Sequence, residues 1–203
     1  MTALSPTRRA HIRTEAESLL DRCGAGRIDF AVLMRICRDE GIELLDADLR
    51  DITGALRRTG ERWRLYLNRG DAPARRLFTL AHALGHYVLH ARSGRSFVES
   101  RFTRSESAGV DEGAAEREAN EFAACLVMPA VMIHAQLASH PPTEGQILDL
   151  AGRFGVSPLA VAHRLSTLGY TVPPASARTP SRRVRWPSPP AGGWISPAHP
   201  GVR

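Results

Sequence analysis

At 203 residues and 43% hydrophobic composition, the chain is long enough to bury one sizeable core and a small helical appendage. No apolar run approaches the roughly 20 residues that span a bilayer, and residues 1–20 mix Arg, His and Glu into their apolar positions, which reads as neither a membrane span nor a signal peptide. Three cysteines (Cys23, Cys37 and Cys125) are an odd number without close pairing, which argues against a disulfide framework and for a reducing cytoplasm.

The net charge of +6 invites a nucleic-acid partner, so its location matters. Every basic residue is arginine, a pattern that reads as coding bias rather than chemistry. Five arginines (Arg178, Arg182, Arg183, Arg185 and Arg203) and no acid follow Val172, leaving 22 basic against 21 acidic residues before it. The folded part is nearly neutral, and the basicity sits in the tail.

Ser5-Pro6 reads as an N-cap followed by proline at the first helical position, with Ala10, Ala16, Leu19, Leu20 and Cys23 at helical spacing up to Gly24. Asp29 can cap a second helix carrying Phe30, Leu33, Ile36 and Cys37, closed by Gly41. Ile42 to Leu45 is a short strand. Residues 53–58 and 62–68 flank Thr59-Gly60-Glu61, and Trp63, Leu65 and Leu67 alternate with Arg62, Arg64 and Tyr66, which predicts a β-hairpin. Asp71 and Pro73 open a long helix through Phe78, Leu80, Leu84, Val88 and Leu89. A polar loop is expected from Ser93 to Gly109, then a helix from Asp111 to about Met128, stopped by Pro129. Beyond Pro141-Pro142, two short helices are expected, Gly155 ending the first and Ser157 capping the second. From Val172 the chain holds eight of its 14 prolines, and that composition cannot repay its own ordering entropy, so a mobile tail is expected.

His82 and His86 stand four apart on the long helix, hence one turn apart on one face. That spacing lets two imidazoles grip one tetrahedral zinc. The pair alone is weak evidence, since a partly buried polar helix edge would look the same. The following helix sharpens it by carrying Glu112, Glu116, Glu118, Asn120 and Glu121 among Ala115, Ala119, Phe122, Ala123 and Leu126. A carboxylate on its inward edge would supply a third ligand and leave a fourth position for water. His90 continues the series, but about 12 Å of helix separates it from His82 at roughly 1.5 Å per residue. It cannot share that ion and is expected as a buried hydrogen-bonding neighbour.

Residues Phe78-Thr79-Leu80-Ala81-His82-Ala83-Leu84-Gly85-His86-Tyr87-Val88-Leu89-His90 resemble FTLAHELGHxLLH, the core signature of the ImmA/IrrE metallopeptidases. Residues 116–129, from Glu116 through Asn120 to Pro129, resemble that family's second signature, ExEANxFAxxLLMP. Leu150 to Ser157, with Arg164-Leu165 and Leu168-Gly169, is similar to its third segment. The resemblance covers about residues 10–171. It implies an α+β zincin-like metallopeptidase with a small twisted sheet and an active-site helix. It divides the chain into a metallopeptidase domain over 1–140, a helix-turn-helix-like segment over 141–171 packed on it, and a Pro/Arg-rich tail over 172–203.

Carried over by position, the resemblance implies His82, His86 and Glu116 as ligands of Zn2+, with Asn120 orienting one of them. Glu118 reads as a solvated charge, with a ligand role in place of Glu116 as the lesser alternative; Tyr87 reads as packing, and Cys125 as a small apolar residue, with zinc ligation the lesser alternative. Arg164 matches an arginine near the relatives' active site, where it could steady an oxyanion; a surface or ion-paired arginine is the bland counterpart. The departure is Ala83, where the family has the glutamate that takes a proton from water and returns it to the leaving amine. Either an ordinary enzyme has been inactivated by a Glu-to-Ala change or the chain is a natural pseudoenzyme. The intact flanks favour the change.

The family resemblance further implies an endopeptidase that cleaves a helix-turn-helix repressor of the Xre type, relieving repression in stress response, mobile elements or phage defence. The rivals are a zinc-stabilised module that binds a repressor without cutting it and a DNA-binding regulator using residues 144–185. Nucleic acid would find charge and stacking in Arg182-Arg183-Val184-Arg185-Trp186. Truncation after Tyr170 should leave the melting temperature nearly unchanged while any nucleic-acid affinity falls strongly. Calorimetry and a binding titration on both lengths check this, and equal binding by the short form would place the contact in the helices.

Overall fold

A computed structural model describes residues 4–24, 27–91, 97–100, 110–137 and 141–172, with the side chains of 98–100 and 110–112 left out. Helix α1, Pro6–Cys23, starts where the Ser5 hydroxyl accepts from the Arg8 amide and ends at Gly24 in the left-handed conformation (φ +59°). Its stripe of Ile12, Ala16 and Leu19 is buried. Helix α2, Phe30–Asp39, is capped by Asp29 and buries Leu33, Ile36 and Cys37. Both follow from local rules: a short polar cap, an apolar stripe at helical spacing, and a stop.

Strand β1, Ile42–Ala47, runs parallel to β3, Arg62–Asn68, and β3 pairs antiparallel with β2, Ile52–Thr59. Thr59 faces Arg62, so the hairpin loop is Gly60-Glu61, with the positive φ of +62° at Gly60 that a tight loop of matching twist requires. Leu56, Leu65 and Leu67 point into the core and are essentially unexposed. A fourth strand, β4, Phe97–Ser100, pairs antiparallel with the outer edge of β2 and gives the order β1-β3-β2-β4. This corrects the expectation of a loop from Ser93 to Gly109. Four residues carry too little periodicity to declare a strand, and the unpaired edge of β2 supplies the reason for one to form. The rest of that stretch lies outside the described residues.

Helix α3, Pro73–His90, packs on β2, β3 and β4, and α4, Val110–Val127, packs across α3 on the side away from the sheet. Helix α1 lies against α4. The layers thus run sheet, α3, α4, α1, with α2 beside α3 and β1. From Thr79 to His86 every residue of α3 is buried. The sheet approaches closely: a Cβ on Gly54 would stand 2.6 Å from the Thr79 methyl. On the other side, a Cβ on Gly85 would meet the Ala119 Cα and carbonyl oxygen at 3.0 Å. Small residues at these two crossings set the spacing of the sheet, α3 and α4.

After Pro129 come α5, Ala130–His134, α6, Glu144–Phe154, and α7, Pro158–Thr167. A reciprocal capping box between Thr143 and Gln146 opens α6; Gly155 (φ +68°) closes it and Ser157 caps α7, both as the sequence predicted. The α6–α7 pair is tied to the rest by Arg153 donating to Gln136 and by Arg164 donating to the Met128 carbonyl. The Pro/Arg-rich tail lies beyond the described residues. Among those residues no helix is long and apolar enough to cross a membrane.

The two kinds of helical glycine should respond oppositely to alanine. Gly85→Ala forces a methyl into the backbone of α4 and should destabilise the fold by about 1–3 kcal/mol. Gly152→Ala, where nothing lies within 4 Å, should stabilise by about 0.5–1 kcal/mol through the lost freedom of the unfolded chain. Urea denaturation of the two variants checks the pair of signs.

Candidate metal centre

The buried stretch of α3 places the His82 and His86 side chains 3% and 2% exposed, rings edge-to-face with centroids 4.6 Å apart. Helix α4 crosses at Gly85, and one turn before Ala119 it brings Glu116 over both rings. One Glu116 oxygen lies 3.2 Å from His82 Nε2, the other 3.1 Å from His86 Nε2, and the two Nε2 atoms are 3.0 Å apart. The three side chains form a group whose ligand atoms all fall within 4.8 Å of one another. Glu116 keeps 42% of its side chain exposed, so the cluster is reachable from solvent on that side.

The protonation states suit a cation. Burial pushes the His86 imidazole down toward its neutral form, and the neighbouring His82 and His90 add to this against the opposing pull of Glu116. Burial alone would raise the Glu116 carboxyl, but hydrogen bonds and charge from the two histidines outweigh it and hold it below the usual carboxylate range. His82 Nδ1 donates to Asn120 Oδ1 at 3.1 Å, which holds the ring with its Nε2 turned toward Glu116. Two imidazoles and a carboxylate, turned toward one point, are the donor set of a catalytic zinc site with an open fourth position. The residues present therefore fit the metal that the sequence reading called for.

Ala83, only 6% exposed, lines the same pocket as His82 and His86, together with Gly54, Leu56, Thr79 and Phe97. A methyl group there offers no proton acceptor. Phe97 is the residue that sequence reasoning missed: its ring stacks on His86 at 4.0 Å between centroids and 16° between planes. No signal in the polar stretch around it pointed to that contact, which exists because β4 pairs with β2.

Other expected residues fall elsewhere. Arg164 is 3% exposed, and its described bonds run to the Met128 carbonyl at 3.2 Å and to Glu121 at 3.4 Å. None of them reaches the three ligands, so the structure gives this arginine a clamp between α7 and α4 rather than contact with the site. Glu118 is not a solvated charge: its side chain is 15% exposed and pairs with Arg8 and His90, because α1 covers that face of α4. Tyr87 packs edge-to-face with Trp63, as expected, and its hydroxyl donates to the Glu40 carbonyl. Cys125 is buried, and burial pushes its thiol up, away from the ligating thiolate.

The family profile described as IrrE N-terminal-like domain, a peptidase family, matches residues 37–166. A solved structure described as a Mycobacterium tuberculosis transcriptional regulator is similar, with a TM-score of 0.56 at 23% identity. The match covers 77% of this chain and 46% of that one, so this chain spans less than half its length, and the likeness is one of fold. No curated protein matches. The α+β architecture with its small sheet is that of the family's zincin-like fold.

The donor set predicts that the purified chain holds about one zinc per molecule. His82→Ala, His86→Ala or Glu116→Ala should weaken zinc by more than the roughly 100-fold that loss of an outer contact can cost. Elemental analysis after dialysis against a weak chelator checks both statements.

Proposed function

This chain belongs to the IrrE N-terminal-like family of peptidases, and from that premise we propose that it is a zinc endopeptidase in architecture, arrested at the proton-transfer step by Ala83. The observation that carries the reading is the convergence of His82, His86 and Glu116 on the pocket wall that Ala83 shares. Zinc bound there supplies a Lewis acid and lowers the pKa of water toward about 7.

The chain's own residues do the remaining work. Asn120 turns the His82 ring, Phe97 holds the plane of His86, and Glu116 balances charge while leaving one side open. Among the described strands β4 ends the sheet beside His86, so an extended peptide can pair along it and lie across the site. What is missing is a carboxylate at position 83 to take a proton from water and hand it to the leaving amine. Its absence should cost roughly 10²–10⁴ in rate.

The substrate this reading assigns is a helix-turn-helix repressor of the Xre type, whose cleavage would relieve repression in stress response, a mobile element or phage defence. Ala83 itself favours a second reading, in which the chain is a natural binding module that holds zinc and sequesters the repressor without cutting it. A DNA-binding role for α7 gains no support, because Arg164 is buried there and leaves His163 without a basic partner on that helix.

Ala83→Glu should restore proton transfer, and the repaired chain should cleave the repressor at a defined site while the parent binds it and leaves it whole. Incubation of each form with zinc and the repressor, read by gel and mass spectrometry, tests this. A repaired chain that holds zinc, binds the repressor and cuts nothing would install the binding-module reading instead.

A further inference from the structure

Arg8 on α1 lies outside the stretch that matches the family, 37–166, yet it reaches a proposed metal ligand through two intermediaries. Its Nε and Nη2 donate to the two oxygens of Glu118 at 2.8 and 2.5 Å. The second of those oxygens lies 2.9 Å from His90 Nε2. His90 Nδ1 lies 3.3 Å from His86 Nδ1, and the far nitrogen of His86 faces Glu116.

With both imidazoles in a neutral tautomer, one arrangement of donors and acceptors satisfies every bond in this chain. A guanidinium only donates and an ionised carboxylate only accepts, so His90 Nε2 must carry its proton toward Glu118. A neutral imidazole protonated there keeps its lone pair on Nδ1. That nitrogen therefore accepts, and His86 must donate from Nδ1. The consequence is that His86 Nε2 is left bare and aimed at the point where His82 and Glu116 also converge. Glu118 and His90 are each 15% exposed and Arg8 34%, so water competes little for the inner bonds.

We propose that Arg8, Glu118 and His90 are positioning residues for the metal centre: a relay from the N-terminal helix that fixes the tautomer and orientation of His86. The inference rests on the zinc-site reading and extends it to α1. His82 receives the same service from the single amide of Asn120, whereas His86 receives it from a chain that ends in a fixed cation. Helix α1 thereby becomes part of the site without touching the ion.

The test uses the full chain, zinc and a competing chelator of known affinity. His90→Phe removes the acceptor and should weaken zinc about ten- to hundredfold, and Glu118→Gln should weaken it by a similar or smaller factor. His90→Asn, which puts an amide oxygen near the position of Nδ1, should recover most of the loss. The double variant Glu118→Gln/His90→Phe should bind zinc no more weakly than His90→Phe alone, because Glu118 acts through His90.

Nitrogen chemical shifts of the metal-free protein should show His86 protonated on Nδ1 in the parent and shifted toward the Nε2 form in His90→Phe. Should the Phe variant fail to fold, Glu118→Gln and His90→Asn carry the same comparison. Zinc affinity within twofold of the parent in His90→Phe and Glu118→Gln, or losses that add in full, would overturn the relay. A parent chain that binds no zinc would overturn the metal reading itself and the relay with it.

Discussion

The close crossing of α3 and α4 at Gly85 and Ala119 is the constraint on which the site depends. Two histidines four residues apart present their rings on one helix face whatever surrounds them. A third ligand must come from another element, and it must come near. With no Cβ at Gly85, the α4 backbone settles against α3 where a methyl group would stand 3.0 Å from Ala119. Glu116, one turn back along α4, then spans both Nε2 atoms at 3.1–3.2 Å. A wider spacing of the helices would leave two buried imidazoles facing a void, at the cost of unsatisfied polar groups.

The sheet completes the pocket from the opposite side. Gly54 lets β2 pass tightly over Thr79 of α3, and the hairpin exposes the outer edge of β2 to pairing. Strand β4 takes that edge and brings Phe97 onto His86. The ligand ring is thus held by hydrogen bonding in its plane and by stacking on its face. This arrangement explains how a pocket wall containing Ala83 stays formed without a carboxylate at that position: none of these contacts runs through residue 83.

Charge is organised along α4. Glu116 faces the two metal-site histidines, Glu118 faces Arg8 and His90, and Glu121 lies between Arg9 of α1, at 3.9 Å, and Arg164 of α7, at 3.4 Å. Arg8 and His90 hold the Glu118 carboxyl down at about 2, against the upward push of burial. Linkage makes that contribution present above the ordinary carboxylate pKa and lost as pH falls through the folded value. Three acids on two turns of one helix therefore do three different jobs, and each job is set by the element that packs against that side.

Sequence by itself determined what local rules decide. Ser5, Asp29 and Ser157 accept from amides three residues on, Gly24 and Gly155 take left-handed stops, and the hairpin turns at Gly60, because each is a contest among a few neighbouring atoms. The spacing of His82 and His86 was legible for the same reason, since helical periodicity places side chains without reference to the rest of the chain; Glu116 was singled out among the acids of its helix only by the resemblance of its motif. Tertiary structure decided the remainder. Whether Glu118 met water or Arg8, whether Arg164 reached the site or the Met128 carbonyl, and whether Phe97 sat in a loop or on a strand against His86 all depend on where a distant segment passes. Such contacts join residues from 11 to 110 positions apart, and no periodicity in either partner records the other; only the packed layers bring them within reach.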